Sequence, residues 1–401
     1  MHNLHINRFF FLFILVFGSL LVPFTSNAQH TNTIPYDKGD SVTVSILALE
    51  GIPGLTTAFG HSQFRVVNHT KNTDNLIDFA GRVNWDVLTY LSEFFFGDLY
   101  YDIFTFSTSR YVFRKDRTVD ELFLKLSHEQ KEKLMNTLSG GYFLQDNARY
   151  HYDYLHRNCT ILMRDVLEDV YPNMTYPDLG ADKTFRQIYE EGLVYNPWIK
   201  FFSDIILGPY NDRIATPREQ MFNPVVFYKY LSGAKSNGEL IGYKQRVLMQ
   251  GSARPPLTFF QKPGLYVWLL LFLEVVLTLL WYFGKVNRVI IVIYDRLWFF
   301  LAAMFAVLII ALWTVSNYDY AARDNWNLLW LSPLYVFLLF MPLRKSFRPT
   351  KILLSLILIS TLAAILGWNF IPQTYNIHFL PIMLLLMVKV GKYLLSPKPA
   401  A

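Results

Sequence analysis

The sequence predicts an α+β domain outside the cytoplasm, followed by an all-α membrane domain of about five transmembrane helices. The chain has 401 residues, which is enough for two domains. Hydrophobic residues make up 52% of it. They occur in short alternating runs in the first 210 residues and in long uninterrupted runs after residue 263. A further apolar segment stands at the start of the chain, where export signals lie.

The first 28 residues are predicted to be a signal peptide. An apolar run from Phe9 to Val22 is followed by the small residues Ser26 and Ala28. This order is typical of a signal peptide that is cleaved after Ala28. An uncleaved membrane anchor is the alternative. In both cases the domain that follows, residues 29–210, is predicted to lie outside the cytoplasm.

The exported domain is predicted to begin with a small sheet and to continue with helices. Runs rich in β-branched and aromatic residues predict strands at Ser41–Leu49, Gln63–Val67, Leu76–Ala80 and Tyr100–Phe113. Apolar residues at helical spacing predict helices over Leu126–Leu138, with Ser127 as N-cap, and over Cys159–Tyr171, with Asn158 as N-cap. Residues 211–263 are rich in Pro, Gly, Asn and basic side chains, so we expect a membrane-proximal connector there.

Five apolar runs follow Pro263, and each is close to the roughly 20 residues that a membrane-spanning helix needs. They lie at about Leu265–Phe283, Leu297–Val315, Trp326–Leu343, Ile352–Phe370 and Ile377–Leu395. Together they predict a membrane domain of residues 264–396 and a short cytoplasmic tail of residues 397–401.

The distribution of basic residues predicts the orientation of these spans. Lys and Arg concentrate in alternate loops and in the tail, whereas the loops on the opposite side contain only Arg323. Loops rich in basic residues stay in the cytoplasm, so the soluble domain is predicted to lie outside. The formal net charge of +6 reflects these loops, and nucleic-acid binding is therefore not expected.

The chain contains one cysteine, Cys159, so no intrachain disulfide is possible. Exported proteins usually use cysteines in pairs, and a lone thiol either packs inertly in a core or does chemistry. The predicted helix start favours chemistry, because a helix N-terminus and a partner His both lower the pKa of a thiol. His151 and His156 are nearby in sequence. We favour His61, since a His at the start of a strand that faces a helix N-terminus has the papain-type geometry.

Four segments together resemble a known family. They are FGHSQFRV, YLSEFFFGDLYY, YHYDYLHRNCTILMRD and DRIATPREQMF, followed by the multispan tail. In this order they resemble the Lnb-type lipoprotein N-acyltransferases of Bacteroides-like bacteria, over nearly the whole mature chain. The early His and the later Asn-Cys pair at a helix start are similar to the permuted NlpC/P60-like branch of the papain fold. The resemblance implies Cys159 as nucleophile and His61 as general base and later acid.

A third group should orient the imidazole, and Asp78 on the following strand is the candidate. Ser62 and Asp153 are the alternatives. Asn158 is expected to cap the helix and so to set the position of the thiol. The Cys159 backbone N–H and one further donor, which the sequence does not identify, are expected to hold the oxyanion.

Two charged residues are further candidates for lipid binding. Arg65 shares a strand face with His61 and either pairs with an internal carboxylate such as Asp165 or binds a lipid phosphate. Glu274 lies midway in the first spanning run, where a carboxylate marks a function or a partner such as Lys389 or His378. A protonated Glu buried between helices is the alternative.

The resemblance implies a thiol acyltransferase of the inner membrane, with its catalytic domain in the periplasm. An acyl chain would pass from a membrane phospholipid through a Cys159 thioester to the N-terminal amine of a diacylated lipoprotein. No cofactor is expected, and no residue cluster has the spacing of a zinc site. The alternatives are a cysteine peptidase or amidase acting on cell-wall peptides, and a binding or assembly protein with an inert Cys159.

The orientation of the spans is directly testable. We expect a reporter fused after Lys398 to be active in the cytoplasm and one inserted at Tyr320 to be active outside, because basic loops are retained inside. Paired reporters, each active on one side of the membrane only, measure this. The reverse pattern would contradict the five-span topology.

Overall fold

The computed structural model describes residues 34–54, 57–81, 86–112, 115–139, 149–180, 182–343 and 347–395. These residues form an α+β domain followed by a bundle of helices, which confirms the predicted fold class. The expected signal peptide, residues 1–28, and the expected tail, residues 397–401, lie outside the described residues.

Ten strands lie in the described part of the first domain. They are β1 (Val42–Leu49), β2 (His61–Asn68), β3 (Thr73–Gly81), β4 (Tyr100–Ser107), β5 (Val119–Leu124), β6 (Arg149–His151), β7 (Met174–Thr175), β8 (Lys235–Ser236), β9 (Glu239–Leu240) and β10 (Gly242–Met249). Seven of them form an antiparallel sheet in the order β10-β5-β1-β2-β3-β4-β6, and β7, β8 and β9 form a smaller sheet. Consequently β2 and β3, which carry His61 and Asp78, are neighbours in the middle of the large sheet.

Eight helices accompany these strands. They are α1 (Val87–Phe96), α2 (Thr108–Tyr111), α3 (His128–Ser139), α4 (Cys159–Val170), α5 (Phe185–Gly192), α6 (Pro197–Ile206), α7 (Pro217–Gln220) and α8 (Pro224–Ser232), with 3-10 turns at Pro209–Asp212 and Phe259–Gln261. Helix α4 buries Met163 and Leu167 against Ile46 and Phe64 of the sheet. This packing fixes the start of α4 at the sheet and forms the main core of the domain.

The elements differ from the predicted ones in two places. The strand expected over Tyr100–Phe113 ends at Ser107, because α2 follows directly. The segment 211–263, expected as a connector, contains α8 and the edge strand β10, which pairs with β5. Most side chains of β10 are exposed, so this strand lacks the alternation of apolar and polar residues that identifies a half-buried strand.

Six helices belong to the described part of the second domain. They are α9 (Pro263–Tyr282), α10 (Arg288–Thr314), α11 (Asp319–Ala322), α12 (Tyr335–Leu338), α13 (Arg348–Leu366) and α14 (Phe379–Leu395), with a 3-10 turn at Trp326–Leu329. Within the described residues, α9, α10 and α13 are long and apolar enough to cross a membrane. Helix α14 has 17 residues and packs beside α9 and α13.

The predicted third spanning helix, Trp326–Leu343, is not a continuous helix, so the expected count of five is not confirmed. Pro333 lies between its two short helical turns, and proline has no N–H to continue a helix. The segment nevertheless runs along the bundle. At one end Trp326 N donates to Gln373 at 2.8 Å, and at the other Thr350 Oγ1 donates to the carbonyl of Pro342 at 2.9 Å.

A cluster of charged side chains lies inside the bundle. Glu274 of α9 and Asp295 of α10 both contact the ammonium groups of Lys389 and Lys392 of α14. Two acidic and two basic side chains meet there, and all four are buried. Glu274 is fully buried and contacts Lys389, one of the two partners expected for it from the sequence. His378, the other expected neighbour, packs instead against Gly264.

Breaking this cluster should weaken the bundle. We expect Lys389→Met to lower the free energy of unfolding by about 3 kcal/mol, because it leaves a buried carboxylate without one of its cations. Thermal unfolding of the purified protein in detergent measures the effect. Lys285→Met, at an exposed position between α9 and α10, is the matched control. Equal stability of the two variants would contradict this role of the cluster.

Candidate active site

Cys159 is the first residue of α4, and Asn158 caps that helix. The Asn158 side chain accepts a hydrogen bond from Ile161 N at 3.1 Å, as a helix N-cap does. Its amide group donates to the carbonyls of Tyr154 and Phe222, at 3.0 and 2.9 Å. These bonds tie the helix start to two other segments, and Cys159 itself is 8% exposed.

The thiol, an imidazole and a carboxylate lie in line. The Sγ of Cys159 is 3.4 Å from Nδ1 of His61, and Nε2 of His61 is 2.8 Å from Oδ1 of Asp78. His61 begins β2, while Asp78 lies near the end of the antiparallel neighbour β3, so both side chains reach the same end of the sheet. The structure therefore brings Cys159 and His61 together with Asp78, the first of the three candidates for the group that orients the imidazole.

The Asp78 carboxylate is almost fully buried and receives two further donors. Gln63 Nε2 donates to Oδ2 at 2.7 Å, and the Ala80 backbone N–H donates to Oδ1 at 2.8 Å. The sequence predicted Gln63 as the start of a strand and gave it no role in the site. Its position two residues after His61 on a strand was the available signal, since alternate residues share a face.

The charges of the three groups shift one another's pKa values. Burial lowers the pKa of His61, but the negative charges of Asp78 and Cys159 outweigh it and raise the pKa to about 10. Burial raises the pKa of Asp78, but His61 and the hydrogen bonds outweigh it and hold the pKa below its usual value. At neutral pH the imidazole is thus a cation between two groups that favour its protonated form.

A bulge follows Asp78 in the sheet. The pairing of β3 with β4 shifts between Asp78 and Gly81. A Cβ atom at Gly81 would lie 1.9 Å from the Phe104 ring, so only glycine fits there. The bulge turns the backbone directly after Asp78, which lets Ala80 N–H reach the carboxylate.

The alternative partners of the thiol and of the imidazole lie elsewhere. His151 contacts the carbonyl of Gly97, and His156 is exposed and bonded to the Tyr210 hydroxyl at 3.1 Å. The Ser62 hydroxyl is buried and has no hydrogen-bond partner among the described residues. Asp153 binds backbone N–H groups of the turn before Cys159.

Arg65 lies on the sheet face that His61 and Gln63 share, but it is occupied by carboxylates. Its guanidinium makes two bonds to Asp74, at 2.9 and 2.6 Å, and one to Glu121 at 2.9 Å. Asp165, the partner suggested from sequence, accepts instead from Arg164 and Arg218. Arg65 therefore pairs with internal carboxylates, and these differ from the one expected.

Tyrosines form one wall of the site. Tyr90, Tyr101 and Tyr150 are buried in one cluster, and Tyr152 packs edge-on against Tyr101 with ring centroids 5.0 Å apart. Burial is the main cause that raises the pKa values of Tyr101, Tyr150 and Tyr152, and the nearby Cys159 charge adds to it. All three phenols therefore stay neutral, and they lie near enough to Cys159 for its charge to act on them.

The active-site domain rests directly on the helical bundle. The loop after α10 contributes Asn317, whose N–H donates to the carbonyl of Phe96 at 2.9 Å. Further along, Asn325 and Asn327 donate to the carbonyl of Ile205 in α6, both at 3.0 Å. No group of three or more His, Cys, Asp or Glu in the described residues could hold a metal ion.

These features define a two-part membrane protein whose α+β domain carries a Cys–His–Asp set above a bundle of apolar helices. Residues 30–191 match the family described as Lnb N-terminal periplasmic domain, and residues 257–398 match the Lnb transmembrane domain. The chain belongs to the Lnb family, which makes it a membrane-associated enzyme of lipoprotein maturation with a periplasmic part. Comparisons with curated proteins and with solved structures give no match.

The raised pKa of His61 predicts how stability depends on pH. The pKa is about 10 in the folded protein and 6.5 for an unperturbed imidazole, so the stabilisation is complete below pH 6.5 and is lost as the pH rises towards 10. We expect the free energy of unfolding to fall less between pH 6.5 and pH 10 for His61→Gln than for the wild type. Urea unfolding at pH 6, 8 and 10 measures it, with exposed His128→Gln as control. Parallel curves for wild type and His61→Gln would contradict the charged pair.

Proposed function

We propose that the protein is a thiol acyltransferase that moves an acyl chain from a membrane phospholipid, through a Cys159 thioester, to the N-terminal amine of a diacylated lipoprotein. The observation that carries the proposal is the line of contacts from Cys159 through His61 to Asp78. Membership of the Lnb family supports the lipoprotein as acceptor. The permuted papain-like relationship of the domain is part of the same proposal.

The first half-reaction forms the thioester. The Cys159 thiolate attacks the ester carbonyl of the donor, and the Cys159 backbone N–H at the helix start stabilises the oxyanion. The carbon–oxygen bond of the ester then breaks, and protonated His61 gives its proton to the leaving alkoxide. The products are the acyl-Cys159 thioester, a lysophospholipid and a neutral imidazole.

The second half-reaction forms the amide. The free amine of the lipoprotein cysteine attacks the thioester carbonyl, and neutral His61 accepts a proton from it. The carbon–sulfur bond breaks and releases the thiolate, which suits this step because a thiolate leaves readily. The cationic imidazole beside a thiolate is restored, and the cycle consumes no water. Throughout, Asp78 holds the imidazole in orientation and stabilises its charge.

Exclusion of water favours transfer over hydrolysis. A thioester that meets water before the amine would be wasted as free fatty acid. Cys159 is 8% exposed, and the neutral tyrosines described above lie near enough to interact with its charge. Such surroundings support attack on the thioester by the amine of the acceptor over attack by water.

Exposed aromatic residues support a position of the site at the membrane surface. Trp198 and Phe202 project from α6, and Phe259 and Phe260 are exposed directly before α9. Aromatic side chains collect at the boundary between lipid and water. We place the protein in the inner membrane, crossing it several times, with an exported catalytic domain. Donor ester and acceptor amine, both anchored by acyl tails, then meet near Cys159.

The two-step mechanism predicts a covalent intermediate. We expect purified protein given phospholipid alone to gain one acyl chain on Cys159, seen by mass spectrometry and removed by neutral hydroxylamine, because thioesters are cleaved by it. A diacylated lipopeptide with a free amine should discharge this adduct as an amide. An N-acetylated lipopeptide is the matched control and should leave the adduct in place.

One variant sharpens this experiment. Cys159→Ser should form no adduct but should stay folded, because the hydroxyl occupies the same place as the thiol and is far less acidic. If the wild type forms no adduct, or if it cleaves a soluble cell-wall peptide instead, the acyltransferase assignment is wrong and the peptidase or amidase assignment takes its place.

A further inference from the structure

We propose that Tyr320, a residue of the membrane domain, is a positioning residue for Cys159 and acts through Asp153. The proposal rests on the proposed function only in taking Cys159 as the nucleophile. It assigns the membrane domain a direct influence on the reactivity of the thiol, in addition to anchoring the enzyme.

The turn that precedes Cys159 is organised by the Asp153 side chain. Its Oδ1 accepts hydrogen bonds from the backbone N–H groups of Leu155 and His156, at 2.9 and 2.8 Å. The backbones of Asp153 and Arg157 also bond each other in both directions, at 2.9 and 3.0 Å. One carboxylate therefore closes the turn that ends immediately before Asn158.

This turn is connected to the nucleophile by a short path. The Asn158 amide donates to the carbonyl of Tyr154, which lies inside the turn, while its side-chain oxygen caps α4. Cys159 follows Asn158 directly. A shift of the turn would therefore move the cap, the first helical residue and the thiol together, and with them the 3.4 Å separation of Sγ from His61.

Tyr320 reaches the same carboxylate oxygen from the membrane domain. Its hydroxyl donates to Asp153 Oδ1 at 2.6 Å, and its ring stacks on Tyr154 with centroids 6.0 Å apart. Burial, Tyr154 and Asp153 raise the pKa of Tyr320 far above its usual value, so the phenol remains a donor. Tyr320 thus contacts the turn through both a hydrogen bond and a ring face.

The loop that carries Tyr320 is itself fixed in place. The carbonyl of Ala321 accepts from Gly208 N at 2.7 Å and from the Asn211 amide at 3.2 Å. Tyr318 of the same loop donates to the carbonyl of Tyr152, one residue before Asp153. A rigid support behind the Tyr320 hydroxyl allows one hydrogen bond to hold the turn in a defined place.

Alkylation of Cys159 by iodoacetamide tests the proposal in the full-length protein. Cys159 is the only cysteine, so the rate of labelling reports this thiol alone. We expect Tyr320→Phe to keep its ring contacts and its melting temperature but to label about tenfold more slowly, the factor that one hydrogen bond corresponds to. Tyr210→Phe is the matched control, because it removes a hydroxyl that bonds His156 in the same aromatic group but does not touch Asp153.

A double-mutant cycle separates positioning from general packing. Asp153→Asn keeps an acceptor oxygen and should restore much of the rate that Asp153→Ala loses. Adding Tyr320→Phe to Asp153→Ala should cause no further loss, because both changes break the same contact. Any one of three results would overturn the proposal. Tyr320→Phe could label at the wild-type rate, Tyr210→Phe could slow labelling as much as Tyr320→Phe does, or the losses of rate in the double variant could add up. The readout needs no lipid, so a failure of acyl transfer would leave its result unaffected.

Discussion

The hydrogen bond between the Asp78 carboxylate and the His61 imidazole is the interaction on which the site depends. A carboxylate as buried as Asp78 is costly unless its oxygens are fully bonded. The sheet meets this requirement with His61, Gln63 and the Ala80 N–H; the first two donors come from β2 and the third from the bulge after Asp78. The same bond fixes which nitrogen of the imidazole faces the thiol. The register of β2 against β3 thus determines the chemistry available to Cys159.

Several hydrogen bonds between the two domains end on backbone carbonyls. Asn317, Asn325 and Asn327 of the membrane domain donate to carbonyls of the catalytic domain, as does Tyr318. Bonds to the main chain constrain position and orientation more strictly than contacts between flexible side-chain ends. The catalytic domain is therefore held at a defined height above the bundle. For the substrates of the proposed function, whose reactive groups would lie at one depth in the lipid headgroup region, such a fixed height would matter.

The sequence identified the parts of the site that leave local patterns. A lone Cys159 after the helix-capping Asn158 is visible as a motif, and His61 and Asp78 stand on strands with clear alternation. The contact of Tyr320 with Asp153 leaves no such pattern, because the two residues are 167 positions apart in sequence. Strand β10 was missed because its exposed edge is polar. The segment Trp326–Leu343 has the composition of a spanning helix, and composition alone does not register the break at Pro333.

The charged cluster in the bundle has a consequence for how the protein is made. Glu274 and Asp295 precede Lys389 by 115 and 94 residues, so ribosomes deliver both carboxylates to the bilayer well before the lysines exist. Until α14 emerges, these carboxylates have no cation from that helix, and an unpaired carboxylate inside a bilayer is costly. Arrival of the last helix neutralises them and closes the bundle. Assembly of the membrane domain is therefore completed from its C-terminal end, and α14 acts as the element that commits the earlier helices to their final places.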